Sequence, residues 1–164
     1  MYKVGDYLVY KKDVCKVVNI IDNILDNVKY YVLSPIDDES LKVDVPVDNR
    51  CGFIRNLISR EELEDIIDDI PNVKVIENSD RLIEGTYKEL LKNGTHRSLI
   101  SIIKTTYLRN QNRKNSKKKL SEKDEYYFNK AEKYLYTEFG IVLGMNYEDT
   151  KEYVISRVSK LGSV

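Results

Sequence analysis

The sequence has no tryptophan, one histidine and two cysteines among its 164 residues, and each shortage excludes a kind of site. Cys15 and Cys51 are too few for a disulfide framework or a zinc ribbon. His96 has no cysteine or carboxylate neighbour at ligand spacing, so it does not indicate a metal centre. We therefore expect reduced thiols, no metal and no cofactor.

Long apolar stretches are missing as well. No window reaches the ~18 consecutive apolar residues of a membrane helix. The first residues, MYKVGD, lack the apolar run of a signal peptide. From these two shortages we expect a cytoplasmic protein that does not contact a membrane.

Motifs for catalysis are absent too. The sequence contains no G-x-x-x-x-G-K-S/T phosphate loop, no G-x-G-x-x-G turn and no G-x-S-x-G nucleophile turn. The acidic residues between 61 and 69 lack the spaced ligands and the glycine of a calcium loop, so they predict a solvated helix face. We expect a binding protein that is not an enzyme and has no small-molecule substrate.

The net charge is zero, but the charges stand in blocks along the chain. Residues 61–80 carry eight acids and one base, whereas residues 81–119 carry eleven bases and two acids. A concentrated basic block favours a polyanionic partner. Alternatively, folding places the acidic block beside the basic one and cancels much of its field. Charge alone does not decide between these two interpretations.

Residues 1–58 have the pattern of short β-strands. YLVYKKDVCKVVNII is rich in Val, Ile and Tyr, a turn follows at Asp22-Asn23, and LKVDVPV alternates with period two. Pro46 has no amide hydrogen, so its strand ends there or lies at a sheet edge. Four or five strands in so few residues predict a small, strongly bent barrel.

Residues 59–164 have helical patterns with recognisable ends. SREE at Ser59 is a capping box, in which the serine accepts from the third amide and the glutamate reaches back. Pro71 stops this first helix. A second helix is predicted to begin near Ser79-Asp80 and to end at Gly94, a residue type that favours helix C-termini.

The remaining helix starts carry good N-caps. Thr95 caps a third helix, Ser121 a fourth and Asn146 a fifth. The polar run 110–119 is predicted to be a connector between the third and fourth helices. The fold class is therefore α+β in two domains, with the helical one starting at residue 59.

The segments YKVGDYLVY, VCKVVNI, KYYVL, LKVDVPVDN and GFIRNLIS, in this order, resemble the N-terminal domain of the CarD family of bacterial transcription regulators. The same domain type is the polymerase-interacting module of transcription-repair coupling factors. LLKNG before an apolar helix, and LSEKDEYYFNKAEKYLYTEFG after it, are also similar to CarD proteins. The resemblance covers roughly residues 1–143.

This resemblance implies a Tudor- or SH3-like barrel over residues 1–58 that docks on the β subunit of RNA polymerase. It also implies that the all-α domain over 59–164 contacts promoter DNA at the upstream edge of the melted region. Together the domains would change the stability of the open promoter complex without recognising an operator. The implied polymerase contacts are a hairpin turn and an edge strand: Asn23, Ile24, Leu25, Leu41, Lys42, Val43, Asp44 and Val45.

The expected DNA contacts are long cationic side chains, which reach phosphates and give salt-dependent affinity with little sequence readout. Most of them belong to the basic block. Lys130 is added because it matches the basic residue of the family's Lys-Ala pair. The full set is Arg81, Lys88, Arg97, Lys104, Arg109, Arg113, Lys114, Lys117, Lys118, Lys119 and Lys130.

Two departures from the family pattern bear on these expectations. Many members carry a tryptophan wedge near the start of the second helix, where this chain has Asp80, and an aspartate cannot act as an apolar wedge. Either Tyr87 or another side chain replaces it, or this protein grips DNA by phosphates alone. Asp44 stands where some members have a basic residue facing the polymerase, so that salt bridge is absent or reversed.

Two other functions fit the same sequence. A protein-only adaptor on RNA polymerase would leave the basic stretch merely solvated. A nucleic-acid chaperone would stack bases on aromatic side chains of the barrel, although tyrosines of a small barrel also line its core. The tyrosines concerned are Tyr2, Tyr7, Tyr10, Tyr30 and Tyr31.

Overall fold

Five strands come first in the chain and five α-helices follow, in a computed structural model that describes residues 1–162. The fold is therefore α+β, as the sequence predicts. The chain divides into two units, Met1–Leu57 and a second that begins at Ile58. This division falls one residue before the proposed boundary, because the Ile58 side chain is buried in the core of the helical unit.

The first unit is one antiparallel sheet in the order β4-β3-β2-β1-β5. A register shift between Val17 and Asn19 marks a bulge in the β2–β3 pair, a device that bends and twists a strand. Pro46 ends β4 at one edge of this order, which confirms its predicted position. The strands are β1 (Tyr7–Tyr10), β2 (Asp13–Asn23), β3 (Val28–Pro35), β4 (Val43–Pro46) and β5 (Ile54–Arg55).

Alternate residues of these strands build the core of the sheet unit. Leu8, Val17 and Leu33 are fully buried, and Tyr31 and Val45 pack with them. This is the period-two pattern read from the sequence, with one face of each strand turned inward. The outer face carries the charged residues of the same strands.

The β2–β3 hairpin extends further than predicted. β2 continues to Asn23, and the turn comes after it instead of at Asp22-Asn23. The Asn23 side-chain oxygen accepts from the Leu25 N–H at 3.0 Å, and Asn27 has a φ of +56°. Asparagine supports both roles, because its short side chain bonds to nearby amides and it tolerates the left-handed region.

The second unit consists of helices packed around one apolar core, in which Tyr87 and Phe139 are the largest fully buried side chains. The two longest helices of this unit pack along each other. A short 3-10 helix, Ile70–Asn72, follows the first α-helix at Pro71. The α-helices are α1 (Arg60–Asp69), α2 (Ile83–Asn93), α3 (His96–Asn115), α4 (Glu122–Leu143) and α5 (Tyr147–Gly162).

Helix ends follow the predicted caps. Ser59, Thr95 and Ser121 each accept, through the side-chain oxygen, from the backbone N–H three residues on, at 3.1, 3.1 and 3.2 Å. Gly94 ends α2 at a φ of +68°, which a side chain would disfavour. Asn146 accepts from the Asp149 N–H at 2.8 Å at the start of α5. All four predicted N-caps are confirmed.

Two predicted boundaries are wrong. α2 begins at Ile83 rather than near Asp80, because residues Ser79–Leu82 form a turn instead. α3 continues to Asn115, so six of the ten residues of the expected connector 110–119 are helical. Within residues 1–162, none of the helices has the length and apolar content of a membrane span.

Candidate nucleic-acid interface

The C-terminal end of α3 is a basic turn. The Lys117 N–H donates to Lys114 O at 3.1 Å, and the Lys118 N–H donates to Arg113 O at 2.8 Å. These bonds form a Schellman motif, with Lys117 at a φ of +57° in the place that glycine usually holds. Lys114, Lys117 and Lys118, here called the basic turn, are exposed and form no ion pair within the described part of the chain.

Next to the basic turn lies a recess of about 320 Å³, here called the arginine recess. Arg109 pairs with the Asp80 carboxylate inside it, and Arg113 Nη2 lies 3.6 Å from Asp80 Oδ2. The hydrogen bond from Arg109 lowers the pKa of Asp80, so the carboxylate is ionised at neutral pH. The lining residues are Asp80, Arg109, Asn112, Arg113, Ser116 and Lys118.

A buried hydrogen-bond network holds Arg109 on the side away from the recess. The Arg109 Nε–H donates to Asp124 Oδ2 at 2.9 Å, and the Tyr87 hydroxyl donates to Asp124 Oδ1 at 2.9 Å. Asp124 is fully buried, so these two donors compensate its charge. Burial, and then the bond to Asp124, raises the pKa of Tyr87. The network joins α2, α3 and α4 and aims the outer guanidinium nitrogens of Arg109 into the recess.

The acidic block does lie beside part of the basic block. Arg97 pairs with Asp69, at the end of α1. The Lys104 ammonium donates to Ile70 O at 2.8 Å and to Val73 O at 2.6 Å, and burial lowers its pKa. The Lys104 ammonium is thus bound to backbone carbonyls that follow α1, so it is not available to contact DNA.

We predict that Lys104→Met destabilises the protein by about 2 kcal/mol, because buried carbonyls lose a charged donor. Duplex DNA affinity should not change. Urea unfolding and DNA titration of the same variant measure the two effects, with the exposed Lys74→Met as the matched control. Normal stability together with weaker DNA binding would instead place Lys104 at the interface.

Other predicted contacts remain at the surface. Arg81 is exposed, Lys88 Nζ lies 3.5 Å from Glu84 Oε1, and Lys119 Nζ lies 3.8 Å from Glu122 Oε1. Both ion pairs are solvent-exposed, and such pairs are worth between zero and about 1 kcal/mol. A phosphate can therefore compete for either lysine at little cost.

Lys130 lies on the exposed face of α4. Its ammonium is 5.3 Å from the Tyr126 ring centroid and donates to the Tyr126 hydroxyl at 3.1 Å. The hydrogen bond to Tyr126 raises the pKa of Lys130, which keeps it cationic. An exposed cation beside an exposed ring suits a nucleotide, which offers a phosphate to one and a base or sugar to the other.

The position that aligns with the family's wedge residue has a different role in this protein. Asp80 is the counter-ion of Arg109, as described above. Tyr87 does not replace the wedge, because its ring is fully buried in the helical core. The exposed large apolar side chain nearest to Asp80 in the sequence is that of Leu82, which is 64% exposed.

On the sheet unit, the proposed polymerase contacts divide into two groups. Ile24 and Leu25 at the β2–β3 hairpin tip are 94% and 97% exposed. Leu41 is also exposed, but Val45 is buried in the sheet core. Lys42 donates to Glu39 O at 3.0 Å, so its ammonium is bound locally. The hairpin tip is therefore the most accessible part of this set.

Strand β4 offers a short backbone edge. The Val47 N–H donates to Lys29 O at 3.0 Å, and by the alternation of antiparallel pairing Val43 and Val45 also turn their amides toward β3. The backbone nitrogens of Asp44 and Pro46 therefore point away from β3, and the nitrogen of Pro46 has no hydrogen to donate. A partner strand added here would find a single outward N–H, that of Asp44.

Three carboxylates surround Tyr30 near this edge. The Tyr30 hydroxyl donates to Asp26 Oδ2 at 2.9 Å. That bond, with the nearby charges of Asp44 and Asp48, raises the pKa of Tyr30. Asp48 is paired with Arg50, whose Nε lies 2.7 Å from Asp48 Oδ2, so the negative charge near Tyr30 comes mainly from Asp26 and Asp44.

Three of the five tyrosines of the sheet unit pack against its core, namely Tyr2, Tyr10 and Tyr31. Tyr31 is 2% exposed, and its ring meets that of Tyr2 edge-on at 5.7 Å between centroids. Tyr10 meets Phe53 edge-on at 6.2 Å. These contacts give Tyr2, Tyr10 and Tyr31 a core role, and leave Tyr7, 37% exposed, and the half-buried Tyr30 for the base stacking of the chaperone hypothesis.

Within residues 1–162, no group of three His, Cys, Asp or Glu side chains is placed to hold a metal. His96 Nε2 lies 2.9 Å from Glu138 Oε1, and the Ile58 N–H donates to Glu138 Oε2 at 2.8 Å. Burial raises the pKa of Cys15 to about 11, which keeps its thiol protonated. Cys51 is exposed.

Sequence reasoning missed Asp124, Asn112 and Ser116. The last two stand three and seven residues after Arg109, a spacing that puts all three on one helix face. Extending α3 to its true end would have revealed that face. No local signal points to Asp124, because its partners Tyr87 and Arg109 are 37 and 15 residues away.

Comparison with known proteins gives no relative on which to rest a function. No family model matches this chain, and no curated protein matches it significantly. The function is therefore argued from the site and from the resemblance of its sequence motifs.

Proposed function

We propose that this protein is a CarD-like, non-enzymatic regulator of transcription that works in the cytoplasm. It binds the β subunit of RNA polymerase through the sheet unit and promoter DNA phosphates through the helical unit. The observation that carries the DNA half is the basic turn, because three exposed lysines stand together at one helix end and form no ion pair with residues 1–162. Such side chains bind phosphates without reading sequence.

In this proposal the sheet unit is the Tudor-like domain that binds polymerase. Its five antiparallel strands and the bulge in β2 support a bent sheet. The hairpin tip supports docking, because two adjacent apolar side chains that are almost wholly exposed lose solvent-accessible area only by binding a partner.

The charge of the docking face sets a condition on the partner. Asp26 and Asp44 contribute negative charge near the β4 edge, while Asp48 is paired with Arg50. The partner surface should therefore carry lysine or arginine side chains, the reverse of the arrangement implied for family members with a basic residue at the Asp44 position. Complementary charge of this kind speeds association and excludes wrong partners.

We predict that the double variant Ile24→Ser and Leu25→Ser loses at least tenfold in affinity for RNA polymerase, since burial of two aliphatic side chains contributes about 3 kcal/mol. Its unfolding free energy should stay within about 0.5 kcal/mol of the parent, because both residues are exposed. Surface plasmon resonance on immobilised polymerase measures the affinity.

Val4→Ser is the matched control for this experiment, because Val4 is an apolar residue of the same unit that is 61% exposed. Equal losses in the tip variant and in the control would mean that binding is not localised at the tip. An unchanged affinity of the tip variant would remove the hairpin from the proposed polymerase contact.

A protein-only adaptor is the second candidate. The ion pairs of Arg97 with Asp69 and of Arg109 with Asp80 favour it, because each places an acid of residues 61–80 beside a base of residues 81–119 and cancels part of its field. This alternative retains polymerase binding but predicts that loss of the basic turn has no effect on promoter complexes.

A further inference from the structure

The arginine recess has the composition of an anion site that already contains an anion. Arg109, Arg113 and Lys118 supply three cations around one concavity, and Asn112 and Ser116 add neutral hydrogen-bonding groups. The Asp80 carboxylate is the acidic group among the lining residues, and it pairs with both arginines. Asp80 therefore occupies the place that an external oxyanion would take.

The two arginines are held to different degrees. Arg109 is anchored by Asp124 at 2.9 Å and is 22% exposed, so it stays in place whether or not Asp80 is beside it. Within residues 1–162, the Arg113 guanidinium has only the 3.6 Å contact with Asp80. The recess is thus preorganised on the Arg109 side and adjustable on the Arg113 side.

The position of Asp80 allows an incoming anion to displace it. Its side chain is 68% exposed and lies in the turn before α2 rather than on a helix. An exposed ion pair contributes little to stability, so releasing Asp80 costs little. The Lys123 ammonium donates to the Asp80 backbone oxygen at 3.0 Å, and this places a fourth cation near the recess.

The ligand that fits is a phosphate. Guanidinium groups match phosphate oxygens with paired hydrogen bonds, and lysine adds a point charge. The recess is too open and too polar for an apolar ligand. With Asp80 turned away, three cations converge on a volume that admits one or two phosphate groups.

We propose that the arginine recess is a phosphate site in which Asp80 is the resting occupant, so that an incoming phosphate displaces Asp80 from Arg113 and Arg109. Asp80 then limits affinity, and its loss strengthens binding. Where the phosphate belongs to DNA, this inference rests on the proposed function. Free polyphosphates carry the same chemistry and are the other source.

The test compares full-length parent protein with Asp80→Asn in binding a fluorescent 30-base-pair duplex and, by calorimetry, inorganic pyrophosphate. Asp80→Asn should bind both about two- to fivefold more tightly, the size of one exposed ion pair. Glu89→Gln is the control, because it removes one exposed charge from α2 outside the recess. Adding Lys118→Gln to Asp80→Asn should remove the gain.

The outcomes separate the two claims. A gain with pyrophosphate alone supports the site and assigns it to free polyphosphate, and it counts against the DNA half of the proposed function. Duplex binding by the parent with no gain in Asp80→Asn beyond Glu89→Gln, for either ligand, overturns the inference and leaves the proposed function standing. If Asp80→Asn does not fold, Lys118→Gln alone must weaken pyrophosphate binding, and unchanged binding overturns the inference.

Discussion

Replacing Asp124 by alanine is expected to destabilise the helical unit by about 3 kcal/mol or more. Asp124 is fully buried and accepts from both Arg109 and Tyr87. Its removal leaves a partly buried guanidinium and a buried hydroxyl without their acceptor, and breaking a buried pair in this way typically costs about 3–5 kcal/mol. Urea unfolding followed by circular dichroism at 222 nm, which reports on the helices, measures the loss.

Glu125→Ala is the matched control, because Glu125 is an exposed acid in the same first turn of α4. It removes the same charge from the helix N-terminus, which is worth only about 0.3–1 kcal/mol. Tyr87→Phe should fall between the two, since it removes a single hydrogen bond to Asp124. If Asp124→Ala is no worse than Glu125→Ala, the network does not hold α2, α3 and α4 together.

Replacing the three lysines of the basic turn by glutamine is expected to cause the largest loss of DNA binding. Each phosphate contact contributes about 0.9 to the slope of log affinity against log salt. Loss of Lys114, Lys117 and Lys118 should therefore lower that slope by about 2 to 3 and reduce affinity at low salt by at least tenfold. Titration of a labelled duplex at several salt concentrations measures both quantities.

Two controls accompany the triple variant. Lys74→Gln with Lys160→Gln removes exposed lysines elsewhere in the same unit and should leave the slope nearly unchanged. Lys117→Gly removes a charge but suits the left-handed position, so it should raise stability by about 1 kcal/mol while weakening DNA binding. If the triple variant binds as tightly as the parent, the basic turn is a solvated helix end and the adaptor alternative holds.

The features that sequence analysis predicted correctly are those decided by neighbouring residues. The caps at Ser59, Thr95 and Ser121 bond to amides three residues away, and Gly94 terminates its own helix. Pro46 likewise acts through its own missing amide hydrogen. Each of these effects is contained within one turn of chain, so the local sequence is sufficient to predict it.

The features that it missed have two origins: contacts between residues far apart in the chain, and, for the length of α3, local helix propensity that the apolar pattern does not reveal. α2 begins at Ile83, and Asp80, in the turn before it, pairs with Arg109, 29 residues away, and does not cap the helix. α3 runs past residue 110 although its last turns lack an apolar stripe, since Arg, Gln and Lys favour helices and cations suit a helix C-terminus. Which cations pair inside the fold, as Arg97 does with Asp69, is also a long-range outcome.

One measurement tests whether a single chain joins polymerase and DNA. RNA polymerase core enzyme is immobilised, the full-length protein is added, and retention of the protein and of a labelled promoter duplex is recorded. We predict that the parent increases duplex retention and that the hairpin-tip variant is not retained. The triple lysine variant should be retained by the polymerase but should not increase retention of the duplex. Failure of the parent to bind polymerase, or undiminished duplex retention with the triple variant, would contradict the account.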